Sequence, residues 1–372
     1  MYDALTPQAA TQAVLWGGLL IGAALGAVAQ ASRFCTMGAL ADWFGFGGTG
    51  RLGMWLLAAA VAALGTQALV AAGAVDAARS VPWSPRLLWL SYPLGGLMFG
   101  FGMVLASGCP QRSLVRLGAG NLKALVTLLA AGLAAQMTLR GVLAGPRVEW
   151  LERWQVALGH PQDLGSLLAA PLGGSAAAMR GLALGLGLLA AAALLWRWRR
   201  ALEPAHWLGG VAVGLLVPAA WWLTGSIGFL AEHPETLEPA WLGTQSRRPE
   251  GLSFASPLAH TLDLLTLWSD TNTTASFGVT LVLGVALGSA AAALLRREFR
   301  LESFSTPGDL LNHLGGGVLM GVGGVVAMGC SIGQGVTGVS MLSAGAFIAV
   351  AGIVAGAWLA LRWQEWRIAR MA

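Results

Sequence analysis

The sequence predicts an all-α integral membrane protein of about nine transmembrane helices with added re-entrant segments. Three observations lead there. Of 372 residues, 56% are hydrophobic and only 10% charged, with a mean hydropathy of +0.67, whereas a soluble domain carries about 25% charged residues. Apolar runs close to the ~20 residues that cross a bilayer recur along the chain. They are continuous, where an outer-membrane barrel would alternate. Basic residues, finally, gather at the ends of those runs.

In chain order the runs lie at 14–31, 52–73, 93–108, 122–139, 180–196, 207–224, 276–295, 313–329 and 343–361. The first lacks a basic leader and a small-residue cleavage site, so it reads as a retained span and not a signal peptide. Glycine contributes 53 residues, about twice its usual ~7% share. Small residues let membrane helices approach closely, and breaks in a helix are tolerated where they line a cavity. The net charge of +5 does not point to nucleic acid. Its arginines sit beside tryptophans at span ends, as in Trp196-Arg197-Trp198-Arg199-Arg200, at Arg296-Arg297, and from Arg362 to Arg370. That is the positive-inside pattern with an aromatic belt. It places those ends in the cytoplasm of a multi-pass inner-membrane protein, with the C-terminus inside. The N-terminal stretch "MYDALTPQAATQ" has one acid and no base, so it is expected on the periplasmic side, and an odd number of spans agrees. The polar stretches 140–180 and 225–256 are expected outside.

A shift of 221 residues lays "GGLMFGFGMVLASGC", residues 95–109, over "GGVLMGVGGVVAMGC", residues 316–330, with eight of fifteen positions identical. Span 276–295 ends in Arg296 and Arg297, while its counterpart 55–74 leads to the uncharged "VPWSP" at 81–85. Equivalent spans therefore run in opposite directions, giving an inverted repeat with halves 1–200 and 201–372. Substrate sites of such folds lie near the midplane, where the halves meet. The short runs 93–108 and 313–329, each ending at Gly-Cys, are expected to be re-entrant helices that stop partway.

Three cysteines, Cys35, Cys109 and Cys330, are too few and odd in number for a disulfide framework. Taken singly, each is an ordinary buried thiol. The double Gly-Cys break says more, because broken helices in lipid are costly unless they line something. Pro110 suits the first position of a helix, whose free amides would face Cys109 and favour an anion. On that helix Cys109, Arg112 and Arg116 would share a face. "GCSIGQG" repeats the device with Cys330, Ser331 and Gln334, neutral donors in place of arginine. Arginine would attract an anion at a mouth, and neutral donors near an exit would avoid trapping it. Cys35 lies in "ASRFCTMGALADW" beside Arg33, and the repeat sets Ser256 opposite it. Asp42, Glu232, His233, His260, Asp263 and His313 lie near spans and are candidates for proton coupling. No Cys-x-x-Cys pair, haem-attachment motif, clustered metal ligands or dinucleotide-binding loop is written in the chain. Neither an enzyme nor a cofactor is expected.

"SRFCTMGA", "SGCPQRSLVRLGAGN" and "MGCSIGQGVTGVSMLSAG" resemble the three cysteine motifs of the YeeE/YedE sulfur-transport family. The resemblance spans nearly the whole chain. It implies an hourglass-shaped inverted repeat, thiosulfate uptake, and a relay of the anion along Cys35, Cys109 and Cys330. Arg33, Gln111, Arg112 and Gln334 are added as supporting positions. The resemblance also implies a small cytosolic sulfur-carrier protein as partner. Two other readings stay open: transport of sulfite, sulfide or a selenium oxyanion, and membrane thiol–disulfide exchange.

Overall fold

A computed structural model of the protein describes residues 6–371. Residues 1–5, which hold the acid of the stretch read as periplasmic, lie outside the described residues, as does Ala372. The described residues fold into fourteen α-helices: α1 (Pro7–Ser32), α2 (Thr36–Phe46), α3 (Gly50–Ala71), α4 (Ser91–Leu105), α5 (Pro110–Gly118), α6 (Leu122–Leu139), the single turn α7 (Ala144–Pro146), α8 (Leu164–Leu172), α9 (Ala176–Trp198), α10 (Pro204–Trp222), α11 (Ala255–Thr266), α12 (Phe277–Leu295), α13 (Pro307–Val326) and α14 (Ala344–Met371). Two two-residue strand pairs close the loops, β1 (Arg86–Leu87) with β2 (Val156–Ala157) and β3 (Phe229–Leu230) with β4 (Ala240–Trp241). Eight helical segments are long and apolar enough to cross a membrane, with α4 and α5 counted as one. Helix α13 is not among the eight; the repeat reads it as a ninth crossing, the counterpart of α4, with Asp309 and His313 at its start and its end meeting the start of α4.

Glycines decide how these helices pack. Along α1, Gly22 and Gly26 bring the backbone against the Leu281 and Val285 carbonyls of α12, and Gly284 and Gly288 return the contact. A side chain at any of them would collide with main chain, so close packing replaces the hydrophobic drive that lipid removes. The 221-residue shift lays α3 on α12, α4 on α13 and α6 on α14, and the packing follows it: α4 lies along α14 as α13 along α6. Helix α1 lies along α12 as α10 lies along α3, although α10 precedes the position that the shift assigns to α1. Helices α4 and α13 cross each other at the centre through Gly95, Gly102, Gly316 and Gly323. Helix α3 leaves the face that carries Arg51, whereas α12 arrives there at Arg297, so these repeat partners do run in opposite directions.

The Gly-Cys breaks differ from expectation in two ways. Segments 93–108 and 313–329 do not turn back. Helix α4 stops at Leu105 and the chain continues through α5 to the arginine-bearing face, where Leu122 N–H donates to the Glu302 carbonyl. Helix α13 likewise stops at Val326, and the chain goes on through a helix containing a π-helical stretch (Gly333–Gly338) to the other face. The re-entrant elements are instead α2 and α11, short helices that start in the interior and end beside the next span. Moreover, the residue that breaks each helix is not glycine. Ser107 and Met328, again 221 residues apart, take φ of 56° and 57°. Gly108 N–H then donates to Met103 O, and Gly329 N–H to Gly324 O, the bonds of a Schellman stop. The glycines serve space: a side chain at Gly108 would press on Arg112, and at Gly329 on Gln334.

Candidate functional site

Each cysteine occupies the same local position, one residue before an interior helix. Cys35 caps α2, and its Sγ accepts from Gly38 N–H at 3.2 Å. Cys330 Sγ accepts from Gly333 N–H at 3.3 Å. Cys109 holds the N-cap position of α5 ahead of Pro110 without a cap bond from its sulfur. The chemistry is shared: a sulfur at a helix start sits among unpaired amides and the positive dipole end, where negative charge is favoured. All three are free and buried, with Cys109 0% and Cys330 1% exposed. Cys109 is central. Cys35, Cys330 and the Ser331 hydroxyl all lie near its sulfur, the hydroxyl without reaching hydrogen-bond geometry.

Within two residues of each cysteine comes a buried polar side chain with unmet hydrogen-bonding capacity. Thr36 Oγ1, both amide atoms of Gln111, and Ser331 Oγ have no partner among the described residues. An unsatisfied buried polar group costs roughly 1–3 kcal/mol; three stand beside the three thiols, and others occur elsewhere in the interior, at Trp55, Thr66 and Ser91 among them. Sequence reasoning singled out Gln111 and Ser331, but missed Thr36. Its signal was its place after a cysteine at a helix start.

Two cavities approach this centre from opposite faces. The first, about 590 Å³, is an arginine basin lined by Arg33, Arg51, Arg112, Arg116, Arg297 and Arg300, with Cys35 on its wall. One acid, Glu298, is among its lining residues. Gln30 Nε2 donates to it at 2.9 Å and Arg296 stands beside it, and these contacts hold its carboxyl below the usual carboxylate range. Only Arg51 of the six has a carboxylate partner, Asp42, among the described residues. Arg112 Nη1 is buried and unpartnered, and Arg116 Nη1 donates to the Ser107 carbonyl at 3.2 Å. Thus Arg33 and Arg112 stand in the basin as supporting positions would. Gln111 does not line it, and Cys109 is sealed from it despite the expected shared face with Arg112 and Arg116. Arg297 and Arg300 were missed because arginine after a span reads as a membrane anchor.

The second cavity, about 430 Å³, is lined by Arg140, Arg147, Glu250, Ser256, His260 and Gln334 among others. Its arginines are engaged: Arg147 with Glu152 and the Thr138 carbonyl, Arg140 with Asp263 at 3.5 Å. Gln334 Nε2 donates to the Ala327 carbonyl at 2.5 Å, which ties it across the Gly-Cys turn. Ser256, the repeat counterpart of Cys35, lines this cavity as Cys35 lines the basin. Of the ionisable positions, Asp42, Asp263 and His313 are in ion pairs or close polar contacts, and Glu232 and His233 lie in the loop beyond β3. Among the described residues no cluster of metal-ligating side chains occurs.

The motifs at these turns have known counterparts. Residues 31–359 match the family model described as sulphur transport. The chain belongs to that family. It is 29% identical to the thiosulfate transporter TsuA of Escherichia coli (strain K12) over 360 residues, covering 93% of this chain and 94% of that protein. It is 27% identical to the thiosulfate transporter TsuA of Spirochaeta thermophila (strain ATCC 700085 / DSM 6578 / Z-1203), covering 93% and 97%.

Proposed function

We propose that this sulphur-transport protein takes up thiosulfate across the cell inner membrane, between halves 1–200 and 201–372, by passing the anion along Cys330, Cys109 and Cys35. The observation that carries the reading is the convergence of three thiols at helix starts and their unpartnered polar neighbours between the two cavities. Thiosulfate has a soft terminal sulfur and a compact sulfonate end. A neutral thiol is a weak donor to that sulfur, and Thr36, Gln111 and Ser331 offer donors to the sulfonate. Several weak sites in series suit a permeant ion, which must bind well enough to enter and loosely enough to leave. Nothing in this route breaks a covalent bond, so the protein acts as a transporter and not as an enzyme.

The order of the relay follows from which cavity each turn meets. Gly333, Gln334 and Met328 beside Cys330 face the second cavity, and Cys35 faces the basin. Positive charge near the basin, from Arg197 to Arg200 and from Arg296 to Arg300, supports a cytoplasmic basin with the C-terminus inside. Arginine attraction therefore acts at the inner end and draws the anion through, in place of catching it at the outer mouth. A small cytosolic sulfur-carrier protein that consumes the cargo would then keep the basin from filling.

Uptake of ³⁵S-labelled thiosulfate by cells expressing single variants tests the reading. Cys109→Ala, which removes a hydrogen bond to a charged guest, is expected to lower uptake about 10- to 100-fold, with sulfate failing to compete in wild type. Normal uptake in both Cys109→Ala and Cys330→Ala would overturn it. Transport of sulfite or selenite in preference to thiosulfate would replace the cargo.

A further inference from the structure

The two re-entrant helices carry equivalent aspartates. Asp42 on α2 and Asp263 on α11 are separated by 221 residues, the repeat shift, and each is held by an arginine of the cavity on its own side. Arg51, at the start of α3, binds Asp42 through both Nε and Nη2. Its guanidinium lies over Gly38, the residue whose amide donates to Cys35 Sγ, where any side chain would collide with it. Across the protein, Asp263 receives Arg140 at 3.5 Å, Gln136 Nε2 at 2.5 Å and His260 Nδ1 at 3.3 Å. Helix α2 closes at Gly47, which takes φ of 68° and donates its amide to the Trp43 carbonyl. The near half of α2 is buried against its neighbours, and the ion pair holds its far half while its guanidinium sits over the thiol at the near end.

We propose that Asp42–Arg51 and Asp263–Arg140 are paired latches, positioning residues that hold α2 and α11 against the central path, one on each face. The inference rests on the transport reading above, because a path that opened to both faces at once would leak its anion. It deepens that reading by naming what keeps each end shut. A divalent oxyanion arriving beside Arg51 or Arg140 competes with the aspartate for the same guanidinium, since bidentate Arg–carboxylate and Arg–oxyanion contacts use the same fork. Cargo at a vestibule and release of that vestibule's helix are thereby the same event.

The test is cysteine accessibility in the full-length protein reconstituted in vesicles, with a membrane-impermeant maleimide applied to one face at a time. Peptide mapping then reads Cys35 and Cys330 separately. Asp42→Asn is expected to speed labelling of Cys35 from the basin face by roughly two- to fivefold, the factor a partly exposed ion pair can supply. Cys330 labelling from the other face should stay unchanged. Asp263→Asn should do the reverse, and Asp42→Glu should return Cys35 to the wild-type rate, which a merely structural role would not do. Arg51→Gln provides a second route to the same opening should Asp42→Asn fold poorly. Unchanged labelling, an equal rise at both cysteines in either variant, or no rescue by glutamate overturns the latches. Labelling is measured with no transported anion present, so failure here is separate from failure of thiosulfate uptake.

Discussion

Among the described residues five of the six basin arginines have no carboxylate partner, Arg116 bonding only the Ser107 carbonyl, while across the protein both arginines of the second cavity are paired, Arg140 with Asp263 and Arg147 with Glu152. The two cavities are made by equivalent elements of one repeat, so the fold does not impose this difference. What differs is the loop chemistry laid over each half. A cavity with free arginines concentrates anions and holds them. One whose arginines are engaged, and which includes Glu250, admits an anion without keeping it. Under the transport reading proposed above, symmetry supplies the path and the side chains at its two ends supply a direction.

The strongest way to break that contrast is to remove one free and one engaged arginine. Arg112→Gln should cut thiosulfate uptake about tenfold or more, since it deletes a charged donor at the basin floor. Arg147→Gln should leave uptake within about twofold but lower the melting temperature, because it loses its bonds to Glu152 and Thr138. Equal transport losses in the two variants would show that free and engaged arginines are used alike.

A second test uses pH at the second cavity. Burial pushes the Glu250 carboxyl above its ordinary range, opposed by hydrogen bonds from Ser246 and Gln245. Its folded form is therefore neutral at a pH where an ordinary carboxylate is charged. As pH rises through its shifted value it ionises and repels the dianion, so the apparent affinity for thiosulfate should fall. Glu250→Gln should abolish this slope, measured as KM for uptake across a pH series. A slope that survives in the variant would assign the pH dependence to another group.

Smaller effects sharpen the picture. Gln334→Ala loses one buried hydrogen bond across the Gly-Cys turn, costing about 1 kcal/mol of stability and lowering uptake two- to threefold. Raising salt from 0.1 to 1 M shortens the screening length from about 10 to 3 Å. That should weaken sulfate binding to the arginine-rich face several-fold and leave the other face nearly unchanged, as calorimetry on the purified protein would read.

Much of this was legible in the chain because membrane sequences write their physics in long runs. Each of the nine apolar runs became a helix, and the 221-residue match lies over elements that pack reciprocally. The failures share a cause. Helices α2 and α11 are too short and too mixed to stand out as membrane elements, so the re-entrant role fell to the longer runs 93–108 and 313–329. Ser107 and Met328 carry no sign of a left-handed turn, since only glycine advertises one, and the adjacent Gly108 and Gly329 took the credit. Arg33 and Arg112 were readable because they neighbour cysteines. Arg51, Arg297 and Arg300 come to the basin from distant spans, and no local pattern says so. The aspartates of the two short helices were visible singly, but their equivalence emerges only when the repeat is combined with their partners.

Helix α9 has no counterpart in the repeat. It packs on α3 and α8, only 11% of its apolar window is buried, and Gly181, Gly185 and Gly187 along it touch nothing. It contributes little to the interior, yet it supplies a single extra crossing between two units of four. Four is even, so without α9 the second unit would begin on the same side as the first and thread the bilayer in the same sense. The two sulfur-bearing turns would then point the same way and never meet. Under the proposed reading, a plain greasy rod with almost no partners is thus what turns a tandem duplication into a through-route, and nearly any apolar helix of its length should serve in its place.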